Sequence, residues 1–385
     1  MAERRVPRIR FKGFEEDWEQ RKLGEIAGIY DGVHQTPEYV DSGIMFLSVE
    51  NIATLKSNKF ISEEAFGRDY KNYPVKGDVL MTRIGDVGTA NVVETTEKLA
   101  FYVSLALIKP NNTDSYYLCN AIHSSRFQRE LRDRTLLTAV PKKINKNEIG
   151  EGVISSPTLR EQELIGRYFR NLDSLLSLHQ RKLEKLKILK KAMLEKMFPK
   201  NGAKVPEIRF SGFTDDWEQR KLSELIEVCS GMDYKRLSPG PIPVYGTGGY
   251  MLSVDKALSY EKNAVGIGRK GTIDKPYMLE APFWTVDTLF YCIPREGNNL
   301  DFIFDVFQIV DWKQKDESTG VPSLSKVAIN ETEVNSPLVD EQQKVGEFFD
   351  HIDSLLSLHH RQCLTLAFHR IRRFFHGSIY PGGGF

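Results

Sequence analysis

The sequence VPRIRFKGFEEDWEQRKL at residues 6–23 occurs again as VPEIRFSGFTDDWEQRKL at residues 205–222, with 14 of 18 positions identical. A second block, PTLREQELIGRYFRNLDSLLSLHQR (157–181), recurs as PLVDEQQKVGEFFDHIDSLLSLHHR (337–361), with 13 of 25 positions identical. Between these blocks the two halves of the chain have little sequence in common. The pattern predicts one frame built twice around two different inserts, so the same kind of contact should be made twice with different content.

Composition places the chain among ordinary soluble proteins. Its 385 residues suit two domains with connectors, and the net charge of +1 excludes a uniformly basic nucleic-acid binder. No apolar run approaches the roughly 18–20 residues of a membrane span, and the N-terminus shows no secretory signal. We therefore expect a cytoplasmic protein. The cysteines form no CxxC pair, which argues against a zinc site or a disulfide framework: Cys119, Cys229, Cys292 and Cys363.

Two long helices are predicted where the second block begins. Within 157–200, apolar residues alternate at spacings of four and three, which is typical of a coiled-coil seam. Residues 161–198 would form a helix about 57 Å long at ~1.5 Å per residue. The seam of the first helix is Ile165, Phe169, Leu172, Leu176, His179, Leu183 and Leu186, and that of the second is Val345, Phe349, Ile352, Leu356 and His359.

The predicted fold class is α+β. Two mixed α/β domains are separated by two long helices that form an antiparallel coiled coil, with an internal pseudo-two-fold repeat. We place the first domain at 1–156, the central helix at 157–200, the second domain at 201–336 and the C-terminal helix with its divergent tail at 337–385. Segments 115–133 and 301–312 are predicted helices, whereas 76–93 and 263–273 are predicted strands joined by glycine turns.

One glycine motif needs weighing against a nucleotide site. GIGRKG at 266–271 matches GxGxxG, but a dinucleotide site needs a long helix next and Pro276 follows within five residues. A strand turn is the favoured interpretation, with RIGDVG (83–88) as its counterpart. Arg83, Arg269 and Lys270 on these turns are candidate DNA contacts, because glycine lets a backbone approach phosphates closely. The alternative is a solvated turn.

Both inserts end in a polar loop of similar sequence, TAVPKKINKNEI (138–149) and TGVPSLSKVAINETEV (319–334). Lysine and serine donate hydrogen bonds to phosphates and base edges. The candidate DNA contacts in these loops are Lys142, Lys143, Ser323, Ser325 and Lys326. An ordinary surface loop remains the alternative.

Catalytic and metal-binding patterns are missing from the sequence. It contains no GxxxxGK[ST] phosphate loop, no amino-methyltransferase motif, no HExxH and no GxSxG. His179 and His359 occupy one seam position, where a polar residue sets helix register, and neither has carboxylate or cysteine neighbours for a metal. We expect no catalytic residue, no metal and no cofactor in this chain.

Four kinds of block, each present twice and in the same order, resemble those of type I restriction-modification specificity subunits. They are the PxIRFxGFxxDWEQRKL opening, the GDVLMTRIGxxG turn, the TGVPSLSKVAI loop and the EQ-x3-G helix start. The resemblance covers nearly the whole chain. It implies two target-recognition domains that each read half of a bipartite double-stranded DNA target. It also implies two methyltransferase (modification) subunits and ATP-dependent restriction subunits as partners, which would carry S-adenosylmethionine, ATP and Mg.

The C-terminal tail departs from this pattern. The first helix ends KLEKLKILKKAMLEKMFPKNG, whereas the second ends RQCLTLAFHRIRRFFHGSIYPGGGF. Two alternatives stand beside a working specificity subunit. One is a coiled-coil scaffold, or an inactivated specificity subunit, that reads no DNA; the other is an enzyme in its own right, against which the missing motifs argue.

Overall fold

The computed structural model describes residues 7, 9–200 and 202–375, with side chains described as far as residue 368. The described residues form two compact units. The first unit combines residues up to 179 with those from 362 onward, and the second runs from 180 to 361. Each unit therefore holds one opening block, one insert and part of each long helix.

The first half of the chain alternates short strands with short helices. In chain order the elements are β1 (Glu19–Lys22), α1 (Leu23–Ile26), β2 (Ala27–Asp31), β3 (Ile44–Leu47), β4 (Phe60–Ile61), α2 (Glu63–Asp69), β5 (Val79–Thr82), β6 (Ala90–Val92), β7 (Leu99–Phe101), β8 (Leu105–Pro110), α3 (Ser115–His123), α4 (Ser125–Arg134), α5 (Lys146–Glu151), β9 (Val153–Ser156) and α6 (Leu159–Lys196).

The second half repeats this order with few changes. Its elements are β10 (Glu218–Lys221), α7 (Leu222–Leu225), β11 (Ile226–Ser230), β12 (Pro239–Gly246), β13 (Gly249–Val254), β14 (Ala264–Gly268), β15 (Tyr277–Leu279), β16 (Trp284–Thr285), β17 (Leu289–Pro294), α8 (Leu300–Ile309), α9 (Lys326–Asn330), β18 (Glu333–Ser336) and α10 (Val339–Phe375). Single 3-10 turns lie at Val49–Asn51 and Trp312–Lys315.

The two inserts share one topology although their sequences differ. In the first unit the main sheet has the order β2-β8-β5-β6 and the small sheet the order β4-β3-β7; in the second the orders are β11-β17-β14-β15 and β13-β12-β16. Each small sheet contains one parallel and one antiparallel strand pair. The parallel pairs are β3–β7 and β12–β16, and the antiparallel pairs are β3–β4 and β12–β13. A ribbon closes each unit, β1 with β9 and β10 with β18. The repeat therefore extends through the whole of each half.

The main sheet is buried on both faces, which explains its continuous apolar strands. In the first unit Val79 and Met81 face the layer of α3 and α4, while Leu80 faces the small sheet. In the second unit Val265 and Ile267 belong to the core formed with α8. This sandwich fixes the strand ends from which the functional turns emerge.

Two helix predictions need correction. Segment 115–133 contains two helices, because Ser124 adopts an extended conformation and its hydroxyl accepts the backbone N–H of Phe127 at 3.3 Å, beginning a new helix. Segment 301–312 is α8 followed by a separate 3-10 turn, which Asp311 caps. The predicted strands in 76–93 are present as β5 and β6. In 263–273 only β14 forms, and the next strand begins at Tyr277.

The two long helices are present, and α6 has the 38 residues expected of it. Within the second unit they run antiparallel: Lys190 Nζ lies 2.6 Å from Asp353 Oδ1, while Phe198, just after α6, has its ring centroid 6.2 Å from that of Phe349. On the seam, Phe169, Val345, Phe349 and Ile352 are buried, and Ile165, Leu172, Leu176, His179, Leu183, Leu186, Leu356 and His359 are half-buried. The final residues of the divergent tail, 376–385, lie outside the described residues.

Candidate nucleic-acid interface

Each opening block is tied to a long helix by a buried ion pair. The guanidinium of Arg10 donates two hydrogen bonds, at 2.7 and 2.8 Å, to the carboxylate of Glu161 on α6, whose side chain is fully buried. Arg209 makes the same two-bond contact with Glu341 on α10, at 2.7 Å each. Paired arginine–carboxylate bonds fix orientation as well as distance. The repeated IRF and EQ motifs are therefore two halves of one clamp.

The repeated aromatic residues also pack inside this frame, as the sequence indicated. Trp18 lies edge-on to Tyr117 with ring centroids 6.2 Å apart, and Trp217 lies edge-on to Phe302 at 5.8 Å. The corresponding phenylalanine contacts are Phe11 with Tyr168 and Phe210 with Phe348. These rings are engaged in packing and are not a base-stacking surface.

The structure joins the glycine turn and the polar loop of each half into one site. In the first unit the backbone N–H of Gly85 donates to the carbonyl of Lys142 at 2.9 Å, and that of Ile144 donates to the carbonyl of Arg83 at 3.0 Å. The turn and the loop are therefore held edge to edge, although about 60 residues separate them in sequence.

The second unit repeats this arrangement bond for bond. The N–H of Gly271 donates to the carbonyl of Pro322 at 2.8 Å, and that of Leu324 donates to the carbonyl of Arg269 at 2.9 Å. Gly85 and Gly271 have φ values of +79° and +91°, a conformation that glycine adopts without steric cost. Strand β15, and no helix, follows the 266–271 turn, so this segment lacks the architecture of a dinucleotide site.

Five of the eight candidate DNA contacts are exposed cations on these joined loops: Lys142, Lys143, Arg269, Lys270 and Lys326. None of the five forms an ion pair with a described residue. The Arg269 guanidinium instead lies 5.8 Å from the ring centroid of Phe290 and contacts the carbonyl of Asp287 at 3.4 Å. Unpaired cations at the same place in both units are suited to binding phosphates.

The two serines of the second loop have structural partners. The Ser325 hydroxyl accepts the backbone N–H of Ala328 at 3.0 Å as the cap of α9, and donates to Glu317 at 3.0 Å. Ser323 is half-buried, and its backbone N–H donates to the carboxylate of Asp316 at 2.9 Å. Both residues shape the loop that presents Lys326.

The hypothesis that Arg83 faces DNA is not supported by its position. Its side chain is only 7% exposed, it pairs with Asp31, and its Nε donates to the carbonyl of Ile144 at 3.1 Å. Burial lowers the pKa of this guanidinium. The group nevertheless remains protonated, because the ordinary pKa of arginine is very high. Arg83 therefore holds the turn against the loop from inside the protein.

Two replacements explain why Arg83 points inward while Arg269, at the matching position, points outward. Strand register aligns Asp31 with Ser230, so the second unit lacks the carboxylate that draws Arg83 inside. The same register aligns Ala106 with Phe290, whose buried ring lies beneath the Arg269 guanidinium at 5.8 Å. The turn sequences themselves could not reveal this difference, because it depends on residues of other strands.

Sequence reasoning missed a basic helix beside the first site. Helix α4 exposes Arg126, Arg129 and Arg132 at intervals of three residues, with Asp133 on the same face. The Gln128 side chain of α4 donates to the carbonyl of Gly88 at 2.8 Å, so the helix packs on the turn that begins at Arg83. The three-residue spacing of the arginines could have predicted a basic helix face. That prediction also required knowing that a new helix begins after Ser124.

A groove of about 380 Å³ in the first unit has the opposite character. It is lined by Glu16, Asp17, Glu19 and Glu25, with Arg21 as a cation at its wall. Four carboxylates repel phosphate, so this face of the opening block is disfavoured for DNA. The basic loops and the acidic groove are thus formed by different residues and differ in charge.

Metal-binding and membrane-spanning features are absent from the part of the chain that the structure describes. No cluster of three or more histidine, cysteine, aspartate or glutamate residues there could hold a metal ion. No helix there is long and apolar enough to cross a membrane.

The fold has a solved counterpart. The crystal structure of the type I restriction-modification system S subunit from M. genitalium matches with a TM-score of 0.72, covering 98% of this chain and 100% of that chain at 14% identity. The predicted fold class is thereby confirmed: two mixed helix-and-sheet domains related by an internal repeat, with two long antiparallel helices.

Family membership follows from the sequence of the two domains. The family described as "Type I restriction modification DNA specificity domain" matches residues 15–188 and 214–366. The chain belongs to this family, which confirms the resemblance drawn from its repeated blocks. It is thereby classed with the specificity subunits and not with modifying or cleaving subunits.

Two curated relatives come from Methanocaldococcus jannaschii. The putative type I restriction enzyme MjaX specificity subunit is 24% identical over 229 residues, covering 54% of this chain and 52% of the relative. The type I restriction enzyme MjaVIII specificity subunit is 23% identical over 232 residues, covering 57% and 52%. The chain spans about half the length of each curated relative that it matches.

Proposed function

We propose that this chain is a non-catalytic, sequence-specific DNA-binding subunit of a type I restriction-modification complex. Each unit reads one half of a bipartite double-stranded target. The observation that carries the proposal is the joined turn and loop, which repeats its backbone hydrogen bonds in both units while its side chains differ. One scaffold with two sets of side chains is suited to two different half-sites.

The exposed cations supply the sequence-independent part of binding. Lys142 and Lys143 in the first unit, and Arg269, Lys270 and Lys326 in the second, contact phosphates and position the duplex. Arg126, Arg129 and Arg132 on α4 extend this basic surface in the first unit alone. Base edges are read by uncharged side chains near these loops.

The long helices set the gap between the half-sites and dock the partners. A helix of 38 residues is about 57 Å long, which limits the separation to roughly 17 base pairs at ~3.4 Å each. Two methyltransferase subunits dock on the frame, and restriction subunits join the full complex. S-adenosylmethionine, ATP and Mg belong to these partners, which transfer methyl groups to adenine N6 and drive cleavage.

The decisive experiment co-expresses this chain with its methyltransferase subunit in a methylation-free host and maps N6-methyladenine across the genome. A single two-part motif with a constant gap supports the proposal and reveals both half-sites. Absence of a motif, with the partner shown to be bound, would favour a coiled-coil scaffold that reads no DNA.

The divergent tail is tested in the same system. If neither partner binding nor a motif is found, residues 362–385 are replaced by a copy of 182–200. Recovery of assembly would then identify the altered tail as the defect, and the chain as an inactivated specificity subunit.

A further inference from the structure

The two small sheets have the same topology but differ in one hairpin. In the first unit β3 and β4 have four and two residues and are joined by the twelve-residue segment 48–59. In the second unit β12 and β13 have eight and six residues and are joined by Thr247 and Gly248 alone. The second unit therefore carries a long two-stranded ribbon at a place where the first has short strands and a loop.

The tip of this ribbon lies against the cationic turn of the second unit. A side chain added at Gly271 would meet the Thr247 hydroxyl at 3.9 Å, so the tip and the Arg269–Gly271 turn are neighbours. The Tyr277 hydroxyl of β15 donates to the carbonyl of Gly246 at 2.6 Å and anchors the tip to the main sheet. The ribbon is thus held in a fixed position beside exposed cations.

The ribbon itself carries no charge. Residues 239–254 read PGPIPVYGTGGYMLSV, without one acidic or basic side chain. Near the tip Tyr250 is 62% exposed and Met251 is 48% exposed, although both are large apolar side chains. The pairing register shifts between Val244 and Tyr245, and such a bulge increases twist and re-aims side chains. Tyr250 contacts its own ribbon, with its ring edge-on to Tyr245 at 6.4 Å and its hydroxyl 3.2 Å from that of Ser253, yet most of the side chain is open to solvent.

The dimensions and chemistry match the major groove of DNA. A two-stranded β-ribbon fits that groove, whose base edges offer hydrogen-bonding groups and the thymine methyl group. An uncharged ribbon lacks the charge attraction to phosphates that lysine and arginine supply, whereas its side chains can contact bases. The adjacent Arg269 and Lys270 are placed for the DNA backbone. Tyr250 offers a hydroxyl and a ring, and Met251 a flexible apolar chain that adapts to a methyl group.

We propose that the β12–β13 ribbon enters the major groove and that Tyr250 and Met251 contact base edges of the half-site read by the second unit. This assignment rests on the proposed function and adds to it the residues that determine one half of the target. The first unit lacks a comparable ribbon and reads its half-site with other elements, so the two halves are recognised by different means.

The test maps N6-methyladenine in the co-expressed complex for the unaltered chain and for Tyr250→Ala and Met251→Ala. We expect each variant to keep the gap and one half of the motif. In the other half, preference at one or two positions should fall about tenfold, the order expected when one base-edge interaction is removed. Tyr260→Ala is the matched control, because Tyr260 is also 62% exposed but follows β13 at the end away from the tip. Its motif should not change.

The outcomes separate this assignment from the function it rests on. An unaltered chain that gives no two-part motif would overturn both. A normal motif with Tyr250→Ala and Met251→Ala indistinguishable from it would overturn the ribbon assignment alone. Equal loss of methylation at every site, or loss of the bound methyltransferase subunit, would make the ribbon a backbone or protein contact and would also overturn it.

Discussion

The side-chain oxygen of Gln162 on α6 accepts a hydrogen bond from the backbone N–H of Asp114, 3.0 Å away and 48 residues earlier in the chain. The Nε2 atom of the same side chain donates to the carbonyl of Pro157 at 2.9 Å and to the Ser156 hydroxyl at 3.2 Å. One buried glutamine therefore joins the long helix to the start of α3 and to the end of β9.

Gln342 repeats this network in the second unit. It accepts the N–H of Asn299 at 3.0 Å and donates to the carbonyl of Pro337 at 3.1 Å and to the Ser336 hydroxyl at 3.0 Å. With the Arg209–Glu341 pair beside it, this contact fixes the second domain on α10, as Gln162 and the Arg10–Glu161 pair fix the first domain on α6. Both glutamines are almost fully buried.

Replacing Gln342 by leucine should destabilise the second unit by about 2–3 kcal/mol, because buried hydrogen-bonding groups lose their partners. The neighbouring Gln343 is exposed, and its side chain donates to Glu347 at 2.9 Å, so Gln343→Leu should cost less than about 0.5 kcal/mol. Urea unfolding of the two variants measures the difference. Equal stability of the pair would show that the network does not hold the domain to the helix.

The Asp31–Arg83 pair provides a second stability test. Asp31→Ser places in the first unit the residue found at the matching position of the second, and leaves the buried Arg83 without its carboxylate. We expect a loss of about 3 kcal/mol, typical of a buried charge left unpaired. Arg83→Met should lose less, and the double variant should be more stable than Asp31→Ser alone. A double-mutant cycle by chemical unfolding checks this, and strictly additive losses would contradict the pairing.

Asp305 on α8 is a buried carboxyl whose Oδ2 has no hydrogen-bond partner among the residues described. Burial raises the pKa of Asp305 well above its ordinary value; the Lys190 ammonium opposes this rise, and Asp353 adds to it. The corresponding residue of the first unit is Asn120, which donates to the carbonyl of Tyr116 at 2.7 Å. An amide therefore already serves at this place in the repeat.

The sign of the pH dependence follows from the raised pKa. Below the ordinary carboxyl range Asp305 is neutral in both the folded and the unfolded chain, and its ionisation then has no effect on stability. As pH rises toward the raised folded pKa, ionisation favours the unfolded chain and stability falls. Asp305→Asn should thus match the parent near pH 4 and become the more stable protein as pH rises. Unfolding free energies at several pH values test this. A variant that becomes less stable than the parent as pH rises would show that ionised Asp305 is stabilised by Lys190.

The sequence predicted the frame well because its cues are local or repeated. The long helices, their seam periodicity and the packing role of the repeated aromatics followed from spacing and duplication. The glycine of the EQ-x3-G motif is explained only by the structure: a side chain at Gly166 would lie 2.1 Å from the Asp114 carboxylate, and one at Gly346 would lie 2.6 Å from the Asn299 side chain. Such close approaches join residues far apart in sequence.

The candidate site was predicted in part. Glycine turns and polar loops were singled out correctly as recurring features, but that they pair with each other depends on long-range strand geometry. The inward position of Arg83 depends on Asp31 and Ala106, which contribute from other strands. The ribbon with Tyr250 was not predicted because its strands carry three prolines, which usually argue against strand pairing.

The final prediction concerns the exposed cations. Arg269→Glu and Lys326→Glu, each made in the complex with the methyltransferase subunit, should weaken binding to a duplex about tenfold at moderate salt without lowering stability. The slope of log affinity against log salt should become shallower by about 0.9 for each phosphate that the protein no longer neutralises.

Lys256→Glu is the control for the charge change itself, because Lys256 is an exposed cation that follows β13 at the end away from the tip. Fluorescence anisotropy across a salt series gives both quantities. If all three variants keep the parent slope, Arg269 and Lys326 do not contact phosphates; if all three shift it equally, the effect is one of net charge and the paired turn and loop have no special role.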